Sequence, residues 1–405
     1  MQTENMYLQP ARTGTPNDIK NFPVGYYQLY PDTSLNWQMN RFYNWANDES
    51  MLEEMRTVSP RIHTYADYTR EFMNLAEQAL ARGQNFKAPY YLRAAEFFMW
   101  PGDPAKLPTR ARYLSLVREH YGLDQSDLIS IPYENGLLPA YRFTPAHAKG
   151  TLVLFGGFDG YIEELFGICL DFRVAGYDVI AFDGPGQGGA LEDSHLPMTN
   201  EWEKPVKAVL DFFGLEDVTL MGVSLGGYLV MRAAAYEPRV HRVIADDVLS
   251  DFWECQLRQL SAQERKLLQA LMKARQEHLV NVLLEQVMQK SLVTEWGIKQ
   301  GMHVMGSQTP YEFLQKVRLY RTALFSARVT QDVLLMAGAQ DHLVPLNQFS
   351  DQIATLTQVR SLTARLFTRF DQAQEHIQVG NIGLAVRVII DWLDGLHDWG
   401  QEASQ

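Results

Sequence analysis

The sequence has little of what marks extracellular, metal-binding or nucleic-acid-binding proteins. Its 405 residues include two cysteines, Cys169 and Cys255, too few for a disulfide framework, and no Cys–His spacing typical of a metal site occurs. The net charge is −12 without a basic cluster, which argues against a nucleic-acid partner. The polar first residues do not resemble a signal peptide, and no apolar run reaches the roughly 18 residues that span a bilayer. We therefore expect a cytoplasmic protein that acts on a small molecule without a membrane partner, a metal or another cofactor.

What the sequence does have is the pattern of a serine nucleophile at residues 222–226, which read GVSLG. This stretch fits G-x-S-x-G, and it lies between a strand-like run at 218–221 and a helix-like run at 228–235. A serine at such a sharp strand-to-helix turn has an exposed hydroxyl, and the glycines let neighbouring backbone pass close by. An ordinary glycine-rich turn is the alternative for five residues alone, but the flanking strand and helix favour Ser224 as a nucleophile.

Partners for Ser224 follow later in the chain, each after a strand-like run. Asp341 and then His376 give the order Ser, Asp, His, which is that of α/β-hydrolases. We interpret His376 as the general base and Asp341 as the group that fixes its tautomer. A loop or capping aspartate and a surface histidine are the structural alternatives. Asp246 and Asp247, at another strand end, are alternative acids.

Serine attack on a carbonyl also needs donors for the oxyanion. One is the backbone N–H of Leu225, the residue after the nucleophile. The other is expected from the loop at 156–160, which follows an apolar strand-like run at 151–155. We assign this second donor to the N–H of Phe158, with Gly157 as the neighbouring alternative.

The alternation of strand-like and helix-like segments predicts an α/β fold, specifically an α/β-hydrolase fold with a mainly parallel sheet. Helical periodicity at 43–58, 65–81 and 91–98 precedes the sheet, which begins with an edge hairpin at 128–143. A long helical stretch interrupts the alternation before the strand that leads to Asp341. The expected division is an N-terminal helical region (1–122), the first part of the hydrolase core (123–250), a helical cap insertion (251–329), the second part of the core (330–397) and a C-terminal tail (398–405).

Two further patterns are given structural interpretations. Residues 184–189 read GPGQGG and formally satisfy G-x-G-x-x-G, but Pro185 lies inside the turn and no apolar helix is predicted to follow, so we expect no dinucleotide site. Glu163 and Glu164 begin a helix, where the helix dipole favours carboxylates. The cap is expected to shape the substrate pocket, and its candidate lining residues are Trp253, Trp296, Met302, Met305 and Tyr311. Trp253 is the most favoured of them, although a core position is the structural alternative for each.

Taken together, these motifs resemble one branch of the α/β-hydrolases. It contains the carbon–carbon hydrolase that cleaves 2,6-dihydroxypseudooxynicotine, fungal hydrolases that shorten heptaketide pigment precursors, and fermentation-respiration-switch-like esterases. The resemblance rests on the motifs at 91–98, 156–164, 182–188, 222–227 and 374–381. It implies an N-terminal helical region that helps close the site and often supports a homodimer. It also implies an additional acidic residue outside the triad, for which Glu254 is a candidate, with a surface glutamate as the alternative.

The residues and the resemblance together predict a cofactor-independent serine hydrolase. We expect it to cleave a C–C bond in a small ketone-bearing, aromatic or polyketide-like substrate, because an activated ketone can expel a stabilised carbanion. An esterase, lactonase or acyl-transferring enzyme with the same triad is one alternative. An inactive hydrolase-fold module that only binds a ligand is another, and the presence of all three triad residues argues against it.

Overall fold

The fold is built on one eight-stranded sheet. In this computed structural model, which describes residues 22–402, the strand order is β1-β2-β4-β3-β5-β6-β7-β8. The strands are β1 (Ile129–Tyr133), β2 (Gly136–Phe143), β3 (Gly150–Phe155), β4 (Tyr177–Phe182), β5 (Val218–Val223), β6 (Val240–Asp246), β7 (Asp332–Gly338) and β8 (Ser361–Phe367). The predicted hairpin is β1 and β2, which are antiparallel to each other, and β2 is also antiparallel to β4. All other pairings are parallel, so the predicted α/β-hydrolase fold is confirmed.

Strands β4, β5 and β7 are buried over their full length, as expected for a parallel sheet covered on both faces. The helices associated with the sheet are α6 (Phe166–Val174), α7 (Gly188–Glu192), α8 (Glu203–Phe213), α9 (Gly226–Ala234), α15 (Asn347–Thr355) and α16 (Ile382–Glu402). Because α16 reaches Glu402, part of the expected C-terminal tail is helical. Residues 403–405 of that tail lie outside the described residues, as do residues 1–21 of the expected N-terminal region.

From residue 22 onward, five α-helices precede the sheet. They are α1 (Thr33–Ala46), α2 (Ser50–Val58), α3 (Tyr65–Ala81), α4 (Lys87–Phe97) and α5 (Lys106–His120). The sequence predicts one helix over 43–58, which is wrong: Asn47 adopts a left-handed conformation (φ 48°) and ends α1. The helical periodicity marks neither the first part of α1 nor any of α5, although both lie within the expected N-terminal helical region. Many of their polar residues are buried, so the apolar periodicity that marks a surface helix is weak.

Five more helices lie between β6 and β7, where the cap was predicted. They are α10 (Phe252–Arg258), α11 (Ala262–Lys273), α12 (Glu277–Met288), α13 (Leu292–Val304) and α14 (Pro310–Val317). Their apolar side chains join the core on the face of the sheet that also carries α8 and α9. Over residues 22–402, we find no helix long and apolar enough to cross a membrane.

Glu163 and Glu164 begin a helix, as predicted, and they also make contacts that the sequence does not show. Both carboxylates are buried in a short 3₁₀ helix (Ile162–Leu165). Glu164 forms ion pairs with Arg41 (2.7 Å) and Arg93 (2.8 Å) of the N-terminal helices. Ion pairing across these elements, and not a helix dipole at the surface, explains why buried charges are tolerated here.

Candidate active site

Ser224 occupies a sharp turn between β5 and α9. Its φ of 63° lies in the left-handed region that non-glycine residues rarely adopt, as the motif predicts for a strained, exposed serine. Its N–H donates to the carbonyl of Asp246 at the end of the neighbouring strand β6 (2.6 Å). The turn is thus anchored to the sheet, and the hydroxyl points away from it toward His376.

The structure brings the three predicted triad residues into one hydrogen-bonded chain. His376 Nε2 lies 2.8 Å from the Ser224 hydroxyl, and His376 Nδ1 lies 2.6 Å from Asp341 Oδ2. The second oxygen of Asp341 accepts the N–H groups of Leu343 (2.7 Å) and Val344 (2.8 Å). These bonds hold the carboxylate toward the imidazole, so the arrangement is suited to removing the serine proton.

Asp247, named in the sequence as an alternative acid, also contacts the histidine. Its Oδ2 lies 3.1 Å from His376 Nδ1, and its side chain is 1% exposed. The backbone N–H of Ile377 donates to the same oxygen (2.7 Å), and Gln378 Nε2 donates to the other oxygen (2.6 Å). Asp246 does not reach the imidazole in the described hydrogen bonds, and its Oδ1 is buried without a partner there. The imidazole therefore faces two carboxylates, from the ends of adjacent strands.

These contacts perturb the protonation of the site strongly. Burial disfavours the charged imidazole, but the carboxylates Asp341 and Asp247 outweigh it and raise the pKa of His376 to about 10. Burial acts to raise the pKa of Asp341, and the charge and hydrogen bond of His376 reverse this and lower it to about 2. For Asp247 burial prevails and its pKa is raised. Asp341 is thus the more acidic of the two carboxylates.

The loop predicted to donate to the oxyanion lies directly against the nucleophile turn. A Cβ added to Gly157 would lie 2.8 Å from the Leu225 nitrogen and 2.9 Å from Ser224 Cβ, so only glycine permits this approach. In the described part of the chain, no turn or loop hydrogen bond uses the N–H of Leu225 or of Phe158. Both groups are therefore free to serve as the expected donors.

The GPGQGG loop supports this arrangement, a role that sequence reasoning missed. Gln187 Nε2 donates to the carbonyls of Gly156 (2.8 Å) and Gly157 (2.9 Å) and so fixes the loop that precedes Phe158. The short helix α7, which was not predicted, begins immediately afterwards.

Two neighbouring cavities border Ser224 and His376. One, of about 110 Å³, lies under the cap and is lined mainly by apolar side chains, and the other, of about 50 Å³, lies toward α1. Both are bordered by Phe158, Asp159, Ser224, Leu343 and His376. A substrate carbonyl at Ser224 would therefore have one arm in each cavity.

The N-terminal helix α1 forms a wall of the second cavity through Trp37, Arg41 and Trp45. Trp37 Nε1 donates to the carbonyl of His376 (3.2 Å), and Asn44 accepts the N–H of Gly380 in the same loop (3.0 Å). The sequence carries no local signal for these contacts, because each partner lies more than 300 positions away. The N-terminal region thus helps hold the loop that carries His376.

Most of the cap residues expected in the pocket lie elsewhere. Phe252, and not Trp253, lines the cavity, and Trp253 packs near the guanidinium of Arg318 (5.9 Å). Glu254 is exposed and borders neither cavity. The expectation that Trp253 and Glu254 face the substrate is therefore wrong: consecutive helical residues point about 100° apart, and the cavity lies on the Phe252 side. Trp296, another aromatic residue of the cap, does line the cavity.

A metal was not expected, yet Asp247, Asp341 and His376 bring three donor atoms within 4.8 Å of one another. The imidazole nitrogen of this group already contacts both carboxylates directly, at 2.6 and 3.1 Å. Hydrogen bonding accounts for the cluster, since a shared proton satisfies the same atoms that an ion would need.

The fold and this site define a protein of the α/β-hydrolase class. Residues 151–379 match the model of the α/β-hydrolase fold family, more than half of the chain, and the chain belongs to that family.

The chain is also similar to fungal hydrolases, as the sequence resemblance predicted. It is 29% identical over 285 residues to hydrolyase poxO of Penicillium oxalicum, covering 62% of this chain and 66% of that protein. It is 33% identical over 219 residues to 20-hydroxy-prefusarin hydrolase FUS2 of Gibberella moniliformis, covering 47% of this chain and 52% of that protein. The chain spans about half to two thirds of the length of these relatives.

Among solved structures, 2,6-dihydroxy-pseudo-oxynicotine hydrolase superposes with a TM-score of 0.59 at 20% identity, covering 87% of this chain and 94% of that one. The predicted branch resemblance is confirmed by these similarities.

Proposed function

We propose that this chain is a cofactor-independent serine hydrolase that cleaves a C–C bond in a small ketone-bearing, aromatic or polyketide-like substrate. The observation that carries the proposal is the chain of hydrogen bonds from Ser224 through His376 to Asp341, open to an apolar cavity. Support for the substrate class comes from the family membership and from relatives named as hydrolases, one of which acts on 20-hydroxy-prefusarin.

In the proposed reaction, Ser224 Oγ attacks the substrate carbonyl as His376 Nε2 takes the hydroxyl proton. The resulting oxyanion is held by the N–H groups of Leu225 and Phe158. The bond to the α-carbon then breaks, and its electron pair leaves as an enolate that accepts the proton from His376. Water, deprotonated by the same imidazole, then attacks the acyl carbon. The bond to Ser224 Oγ breaks as His376 returns the proton to that oxygen, which releases the carboxylic acid and restores the free enzyme.

The source of the proton for the carbon leaving group follows from the contacts. Glu254 lies outside the cavities and cannot supply it. Asp159 and Glu164 border the cavities, but both carboxylates are ion-paired to Arg41. We therefore assign the proton to His376, whose raised pKa favours the imidazolium that must form.

An ester or lactone hydrolase is the second candidate, because the exposed position of Glu254 removes the extra acid implied by the resemblance. A matched pair of substrates separates the two. We expect purified protein to cleave an aryl β-diketone well above the buffer rate, with products identified by mass spectrometry, and Ser224→Ala to serve as the blank. Rapid hydrolysis of the corresponding aryl ester with diketone turnover no faster than buffer would overturn C–C cleavage.

The cap is expected to set substrate choice through Phe252. Phe252→Leu should raise the ratio of kcat/KM for bulky against small substrates by about tenfold, because the smaller side chain enlarges the cavity. The matched control is Trp253→Leu, one position along the same helix but outside the cavity, which should change that ratio less than about twofold. Equal effects of the two substitutions would contradict the placement of the cavity.

A further inference from the structure

We propose that Asp247 is a second positioning carboxylate for His376, which shares the Nδ1 proton with Asp341 and locks the turn that carries the histidine. The two aspartates follow β6 and β7, which are parallel neighbours in the sheet. Their carboxyl ends therefore meet at the same edge, and each places one Oδ2 atom within 3.1 Å of Nδ1. This inference rests on the proposed role of His376 as the base.

The turn after His376 has an unfavourable backbone that Asp247 stabilises. Ile377 and Gln378 have φ values of 47° and 51°, in the region that β-branched and bulky residues rarely adopt. Asp247 accepts hydrogen bonds from the backbone N–H of Ile377 and from the side-chain Nε2 of Gln378. One buried carboxylate therefore holds both residues of the turn. Asp341 makes no such bonds, because its second oxygen is used by its own loop.

The two carboxylates therefore differ in what they hold. Asp341 has the shorter contact with Nδ1 and the lower pKa, and it supplies the charge. Asp247 fixes the ring through the backbone and offers a reserve acceptor for the same N–H. If Asp341 alone is removed, the Nδ1–H group should still donate a hydrogen bond to Asp247. In a triad with a single carboxylate, the same substitution leaves Nδ1–H without its carboxylate partner.

Removing either carboxylate should also change the acidity of the imidazole. An opposite charge within about 4–6 Å shifts a pKa by about 1–3 units, so loss of one should make His376 easier to deprotonate. Since the neutral imidazole is the base, the acidic limb of the activity profile should move to lower pH. Several charged or titratable groups surround His376. They are Asp246 at the end of β6 and Asp247 directly after it, Asp341 and His342 after β7, Glu375 beside it in the chain, and Arg41 of α1 across the cavity.

Asp247→Asn is the preferred variant, because it keeps the shape of the side chain. The Oε1 atom of Gln378 is buried without a partner in the described part of the chain. A rotated Gln378 side chain can therefore accept a hydrogen bond from the amide that the substitution introduces, while Ile377 keeps its acceptor. Glu375→Gln is the matched control, since it removes a neighbouring acidic group that does not contact Nδ1 in the described hydrogen bonds.

The experiment is a pH titration of the His376 ring by NMR in the full-length chain, with the signal assigned by its loss in His376→Gln. We expect Asp247→Asn to lower the pKa of His376 by at least about one unit and to move the acidic limb of kcat/KM with it. Glu375→Gln should change the pKa of His376 and the acidic limb of kcat/KM much less. An unchanged pKa of His376 in a folded Asp247→Asn protein would overturn the inference, whereas a merely structural role would lower stability without moving the limb.

Asp341→Asn gives a second test that leaves Asp247 intact. Its kcat should fall by less than the roughly 10⁴-fold seen when a triad has a single acid, and the double variant Asp247→Asn/Asp341→Asn should lose more than either alone. If the His376 ring of Asp341→Asn titrates near the ordinary value of about 6.5, Asp247 is not a second acceptor. The NMR readout needs no substrate, so failure of the proposed reaction, seen as full activity of Ser224→Ala, is distinguished from failure of this inference.

Discussion

Replacing Ser224 with alanine is expected to lower kcat by about 10⁴- to 10⁶-fold while leaving the fold and substrate binding nearly unchanged. The reason is that the hydroxyl 2.8 Å from His376 Nε2 is the proposed attacking group, and its loss leaves only a small void. The measurement is steady-state turnover of the preferred substrate, together with labelling by a fluorophosphonate probe.

Labelling of the wild-type protein and no labelling of Ser224→Ala is the expected pattern. A Ser224→Ala protein that retains more than about a tenth of the activity would falsify the nucleophile assignment, since triad losses are far larger. Absence of labelling in the folded wild-type protein would instead favour a module that only binds a ligand.

Replacing Arg93 with alanine is expected to lower the free energy of unfolding by about 3–5 kcal/mol, because two buried carboxylates would each lose one of their two counterions. Arg93 is 2% exposed and pairs with Glu96 (2.6 Å) and Glu164 (2.8 Å). It also donates to the carbonyl of Asp159 (2.6 Å), so activity should fall as the loop before it loosens.

Arg112→Ala is the matched control for that prediction. Arg112 pairs with Glu77 at 2.6 Å, but the two side chains are 42% and 54% exposed, and an exposed pair contributes at most about 1 kcal/mol. Urea unfolding monitored by fluorescence would compare the two variants. Equal losses would mean that the buried network does not hold the N-terminal helices to the sheet.

The parts of the site that depend on local pattern were open to prediction. A strand, a G-x-S-x-G turn and a helix follow one another at Ser224, and parallel strands must end at one edge, so Asp341 and His376 could be placed near it. The family matched by residues 151–379 agrees with that fold prediction.

The parts that depend on packing were not open to prediction. A single sequence does not reveal which face of α10 meets the cavity, so Trp253 was favoured over Phe252. Glu164 was interpreted as a helix-terminal charge because its partners, Arg41 and Arg93, come from distant helices. For Asp247, the sequence places the carboxylate at a strand end, but the distance to His376 depends on which strands are neighbours.

The hydrogen bond between Trp37 and the carbonyl of His376 joins positions 339 residues apart. During synthesis, the indole therefore emerges long before the loop it will support, and the helix that carries it must wait for nearly the whole remaining polypeptide. Hydrolytic competence should consequently appear late on the ribosome, after the His376 loop has left the exit tunnel. Enzyme activity would then report that synthesis has passed the His376 loop, and not merely that the N-terminal helices have folded.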